Sequence, residues 1–277
     1  MPLVNAILNV AALLLWISWH ASRFDPLSRP TASTLVGTLR KTGTVRTRDW
    51  TFPLVIVGLL LLRAVFYWQV GPALNWTPRL EMAATLLPLR SDFLDRTLLF
   101  SLLSFGNLLA PLYLWLLFLA MINHRLPDTD RWQHLIRLNL WPLGRWHWAL
   151  QLGLPMLATV LLWLALRPLL ERVQALPTMP FSAWWLAQGW CVWADWFLSV
   201  KYLIAALLLV HLVNSHVFLG RHPLLDYANA SAVSLLRSLS WLPLRTRRVD
   251  FSPVVGIALV FAVDHFANVF LARAFPL

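Results

Sequence analysis

Apolar residues fall in long runs along this chain, at about 3–19, 51–70, 98–122, 148–170, 191–214 and 251–273. A helix needs roughly 20 such residues to cross a hydrocarbon core of about 30 Å. The pattern therefore predicts an all-α, polytopic transmembrane helix bundle of about six spans. The first run is short and ends in Trp16 and Trp19. If residues 3–19 lie only at the interface, the number is five and the N-terminus changes sides. No basic segment precedes that run, so it is expected to be a retained helix and not a cleaved signal. Between the runs, 71–97 is mixed and contains Pro72, Pro78 and Pro88, 123–147 is polar, and Trp184, Trp185 and Trp190 mark a Trp-rich linker.

Composition agrees with that reading. The chain is 59% hydrophobic and 13% charged, against about 25% charged in soluble domains. Seventeen Trp and fifteen Phe suit aromatic belts at two membrane interfaces. A net charge of +11 is read as basic cytoplasmic loops and not as a nucleic-acid surface. Cys191 is the only cysteine, which excludes an intramolecular disulfide and a cysteine-based metal site.

Basic residues set the expected orientation. The loops 20–50, 123–147 and 215–250 hold six, four and five Lys or Arg, while 71–97 and 171–190 hold three and one. This places the first group in the cytoplasm and both termini outside. The expected location is a bacterial inner membrane, with anionic lipid headgroups against the cytoplasmic arginines.

Two stretches of the second half look alike. In 135–164 and 235–263, Arg137 aligns with Arg237, Trp141 with Trp241, Pro142 with Pro243, and Pro155 falls near Pro253. Upstream, Asn123 aligns with Asn214. The unit is helix, amphipathic cytoplasmic segment, helix, used twice in parallel. In the second copy, Leu224, Leu225, Ala228, Ala232, Leu235, Leu236 and Leu239 recur at helical spacing. They predict a surface helix lying in the headgroup plane with that face down. Arg245, Arg247, Arg248 and Asp250 then lead to Ser252-Pro253. Proline suits a first helical turn, and Asp250 or Ser252 is a candidate cap.

The stretch from His222 to Phe261 resembles the signature of YggT-family membrane proteins. The matching residues are Pro223, Leu235, Leu236, Arg237, Pro243, Asp250, Phe251, Ser252 and Pro253. The resemblance covers roughly 110–275, giving an N-terminal extension at 1–110, a first repeat at 111–172 and a second at 190–277. It departs in the turn, where Arg247, Arg248 and Val249 stand in place of a Gly pair. The first copy has Leu152-Gly153-Leu154-Pro155 in place of Asp-Phe-Ser-Pro. The resemblance implies no enzyme activity and no cofactor. It implies a role in organising or assembling membrane complexes, alongside other membrane proteins or further copies of the chain.

Ionisable residues inside spans demand a reason, since each costs a few kcal/mol or more at the bilayer centre. Lys201 and Asp264 fall at similar depth on antiparallel helices and are expected to face each other. Arg167 and Asp195 likewise match in depth. Arg63 has no evident partner, and Glu81, Asp92 or Asp95 from the outer loop are candidates. Helix packing is the plainer reading of these pairs; an ion path through Lys201 and Asp264 is the alternative. Eight histidines raise haem binding, but His211 and His265 lie at different depths, whereas axial ligands need the same depth. No P-loop, HExxH or GxSxG occurs. Three functions stay open: a non-enzymatic organising protein, a channel or transporter component, and a structural subunit of a bioenergetic complex.

Overall fold

The computed structural model describes residues 2–24, 50–82, 85–124, 131–140, 143, 146–216, 222–237 and 251–274. The chain is an all-α bundle, and among the described residues six helical segments are long and apolar enough to cross a membrane. The helices are α1 (Pro2–Phe24), α2 (Thr51–Val70), α3 (Leu94–Ile122), α4 (Arg131–Asn139), α5 (Trp148–Arg172), α6 (Ala183–Leu198), α7 (Val200–His216), α8 (Pro223–Leu236) and α9 (Ser252–Ala274). At 23 residues, α1 is about 34 Å long, more than the 3–19 run suggests.

Two compact units divide the chain. The first comprises 1–78 and 88–108, hence α1, α2 and the first half of α3. Its core packs Tyr67 of α2 against Trp76 and Phe100, with ring centroids 4.8 and 5.9 Å away. Ser101 on α3 donates to the Leu60 carbonyl (2.9 Å), a side chain-to-backbone tie between α3 and α2.

The second unit holds 79–87 and 109–277. It begins with a feature that the apolar pattern did not announce, a two-stranded hairpin of β1 (Arg79–Met82) and β2 (Thr85–Pro88). The strands are four residues each, too short for alternation to stand out in a Pro-containing stretch.

Helix α5 carries Pro155 and Pro168 in its interior without ending. In apolar surroundings, neighbouring side chains and local adjustment make such prolines tolerable; Thr159 Oγ1 also donates to the Pro155 carbonyl (2.8 Å), a bond back along the same helix. Helix α5 ends in a reversal: Ala175 N–H bonds the Leu170 carbonyl, with Gln174 at φ 57°. The chain returns as α6, which packs along α5. Gly189 permits the approach, because a Cβ there would stand 3.1 Å from Val160 Cα and 3.3 Å from Trp163 Cβ.

Trp184, Trp185 and Trp190 were expected in a linker but belong to α6. Nothing in 183–198 breaks a helix except Gly189, and that residue is held by packing. Together α6 and α7 form an apolar segment of 33 residues, Ala183–Ser215, interrupted at Ser199. There the Ser199 hydroxyl donates to the Trp196 carbonyl (2.6 Å) and accepts from Trp115 Nε1 (3.0 Å).

Helices α3, α4 and α5 have 29, 9 and 25 residues, and α7, α8 and α9 have 17, 14 and 23. Leu117, Ala120, Ile136, Leu140 and Tyr227 form one core of this unit, joining α3, α4 and α8. Leu207, Leu208, Ala228, Ala232 and Leu236 form another between α7 and α8.

Candidate functional site

The second unit concentrates its polar chemistry in two places. The first is the contact of α7 with α9. Lys201 Nζ donates to Asp264 Oδ2 at 2.7 Å, and the side chains are 17% and 12% exposed. These are the two residues whose depths matched in the sequence. The ammonium also lies 5.0 Å from the centroid of the Tyr202 ring, close enough for a cation–π contribution. The other oxygen, Asp264 Oδ1, is buried and has no hydrogen-bond partner among the described residues. Lys201 stands two residues past the interruption at Ser199.

The second place is a buried hydrogen-bond network that fastens the short helices to the long ones. Asn123 Nδ2 donates to the Tyr227 hydroxyl (2.9 Å) and to Ser231 Oγ (2.6 Å). The Tyr227 hydroxyl donates to Gln133 Oε1 (2.9 Å), and Gln133 Nε2 returns to the Asn123 carbonyl (3.1 Å). Ser231 Oγ closes back on the Tyr227 carbonyl (2.8 Å). Asn123, Gln133 and Ser231 have no solvent exposure. A buried network fixes one arrangement because each member left unpaired carries its full desolvation cost. Asn229 of α8 adds a contact to His211 Nδ1 on α7.

This network changes the expected setting of α8. Its buried face is Tyr227, Ala228, Ser231, Ala232 and Leu236, packed on α3, α4 and α7, while Leu224 is exposed. The leucine face expected to enter the lipid is thus partly the face that docks on protein. Tyr227 and Ser231 interrupt the apolar pattern, and they fit because Asn123 and Gln133 meet them. His222 caps the helix, its Nδ1 accepting from Leu224 N–H (3.3 Å), and Pro223 occupies the first turn. Arg237 is exposed at the other end. Helix α9 starts at Ser252, with Pro253 in its first turn. Pro243, Arg245, Arg247, Arg248 and Asp250 lie outside the described residues.

Two further arginines are buried to 1% exposure. Arg167 takes its acid from its own helix: Nε donates to Glu171 Oε1 at 3.1 Å, one turn along. Its Nη1 bonds Gln188 on α6, and the guanidinium lies 4.4 Å from the Trp185 ring centroid. Asp195, the acid matched to it by depth, is exposed on α6. An i,i+4 pair within one helix is the shorter reach.

Arg63 lies in the first unit, where among the described residues no carboxylate pairs with it. Its Nη1 donates to Asn9 Oδ1 on α1, and Asn9 Nδ2 donates to Ser104 Oγ (3.0 Å). The cation sits 5.7 Å from the Tyr67 ring and 5.4 Å from the Phe100 ring. Nε and Nη2 have no hydrogen-bond partner among the described residues. The expected acids Glu81, Asp92 and Asp95 are replaced by an amide and two aromatic faces. The signal was present as Asn5 and Asn9, two amides one turn apart in an otherwise apolar run.

Among the described residues, no three His, Cys, Asp or Glu side chains gather in a metal-binding group. His211 is engaged with Asn229, and His265 is exposed on α9. Comparison of the chain with family models, with curated proteins and with solved structures gives no match.

Proposed function

We propose that this chain is a non-enzymatic membrane scaffold of the YggT kind, which presents its short helices α4 and α8 to partners on the cytoplasmic side of a bacterial inner membrane. The observation that carries this reading is the Asn123–Gln133–Tyr227–Ser231 network. It spends the buried polar groups of three helices on holding α8 in one place. The outward side of α8 then carries Asp226, Val233 and Arg237, all exposed. A rigidly held, mixed polar and apolar helix face suits protein docking, with anionic headgroups meeting the neighbouring arginines.

The second reading, an ion-handling component, draws on the unpartnered Asp264 Oδ1. Against it, Lys201 and His211 share one face of α7, and the residues between them on that face, Ile204 and Leu208, belong to an apolar cluster. A polar path would have to pass those side chains.

Gentle detergent extraction followed by native mass measurement tests the scaffold reading. The expected result is a stoichiometric partner that is lost in Asp226→Arg/Val233→Glu, with helicity unchanged. A chain that carries no partner, and passes ions when reconstituted in vesicles, overturns it in favour of the second reading.

A further inference from the structure

Helix α9 shows three kinds of side chain around its circumference. One stripe (Ile257, Val260, Asp264, Ala267 and Leu271) is half-buried and faces the bundle, with Asp264 reaching Lys201. A second stripe (Leu259, Val263, Phe266 and Phe270) is exposed and wholly apolar, at 46–71% exposure. That is a surface for lipid chains. The third stripe is Val254, Ala258, Phe261, His265 and Asn268, and every member is exposed.

The third stripe is unlike a lipid surface. His265 and Asn268 lie within the apolar span Ser252–Leu271. His265 is two residues from the middle of the helix, hence about 3 Å along its axis. Among the described residues neither side chain has a hydrogen-bond partner, and the His265 ring meets that of Phe266, centroids 6.0 Å apart. Polar side chains at that depth ordinarily face protein. The spacing is also specific: 254, 258, 261, 265 and 268 step by four, three, four and three. This is the alternation along which two helices wind together left-handedly.

We propose that a second copy of this chain docks along Val254, Ala258, Phe261, His265 and Asn268, forming a parallel α9–α9 pair about a two-fold axis normal to the membrane. The chemistry selects a second copy. Two copies in one membrane share an orientation, so residues of equal height meet across the axis. Asparagine carries both donors and an acceptor, and a neutral imidazole carries one of each. Each can therefore satisfy its own twin, as a single buried Asn does in a coiled-coil seam. Ala258 keeps the backbones close in the half of the seam nearer the helix start.

The test is cysteine cross-linking in native membranes. Single cysteines replace residues 254, 258, 261, 265 and 268, and separately 259, 263, 266 and 270. The background is Cys191→Ala, with a parallel series retaining the buried Cys191. The expected result is oxidised dimer at the first set, rising and falling every three to four residues, and none at the second. Combining His265→Ala and Asn268→Ala is expected to weaken dimerisation by about tenfold, read as loss of cross-linking at Ala258→Cys. Absence of dimer along the first set, or dimer peaking on the second, overturns the proposal. Undiminished cross-linking in the double alanine variant overturns the assignment of His265 and Asn268.

Discussion

Removing one member of the Lys201–Asp264 pair should cost far more than removing both. At 2.7 Å, two unit charges attract by about 6 kcal/mol at an effective dielectric of about 20. Each ion also gives up hydration worth several kcal/mol. Because the side chains keep 17% and 12% exposure, both figures are upper bounds, and the pair is close to neutral overall. Lys201→Met removes the attraction but leaves Asp264 with neither oxygen bonded, since Oδ1 has no partner already. That single change should cost about 3–5 kcal/mol. Asp264→Leu, which strands the ammonium, should cost a similar amount. The double variant Lys201→Met/Asp264→Leu should fall within about 1 kcal/mol of the parent, because packed apolar groups replace the pair. The assay is equilibrium unfolding in detergent, followed by helical circular dichroism, arranged as a double-mutant cycle. A coupling of about 3 kcal/mol or more is expected. Additive single effects, with a coupling below about 0.5 kcal/mol, would refute the reasoning.

The same assay tests the rest of the bundle. Tyr227→Phe should cost about 2–3 kcal/mol, because it leaves the amides of Asn123 and Gln133 each short of a bond in a buried site. For Arg63 the expected result is asymmetric. Arg63→Met should be neutral or stabilising, since two of its nitrogens are unpartnered, whereas Asn9→Leu should cost about 2–4 kcal/mol by stranding the cation. Gly189→Val should separate α5 from α6 at a cost of about 1–3 kcal/mol, seen as a lower unfolding midpoint. Gln174→Gly should raise that midpoint slightly, by relieving a left-handed backbone at the end of α5 at a gain of up to about 1 kcal/mol.

The spans were legible because a membrane helix is written in length and hydropathy, and both are local properties. The runs 51–70 and 251–273 correspond to α2 and α9 within a residue. The Lys201–Asp264 contact was legible for a related reason: antiparallel helices of known length fix the depth of each residue. Depth alone does not fix rotation about the helix axis. Arg167 therefore turned to Glu171 on its own helix, and Arg63 to Asn9 and two rings. The network around Tyr227 lay further out of reach. It joins Asn123 to residues more than a hundred positions away, and no periodicity records such a partner. The Trp-rich stretch misled because tryptophan at an interface marks depth, not secondary structure.

The interruption at Ser199 bears on how this protein would sense its lipid environment. A continuous helix over Ala183–Ser215 would be about 50 Å long, against a hydrocarbon core of about 30 Å. Tilting alone would need more than 50°, beyond the 0–40° range that membrane helices adopt. Ser199 itself keeps helical backbone angles, φ −60° and ψ −19°, and its N–H still bonds the Asp195 carbonyl. A bilayer much thinner than the segment would have to bend it, and the local break in regular helix at Ser199 is where a bend is expected. Lys201 is two residues from Ser199, and Trp115 bonds the Ser199 hydroxyl. A bend at Ser199 is therefore expected to load the ion pair, and stability in bilayers of graded chain length is the variable that would expose it.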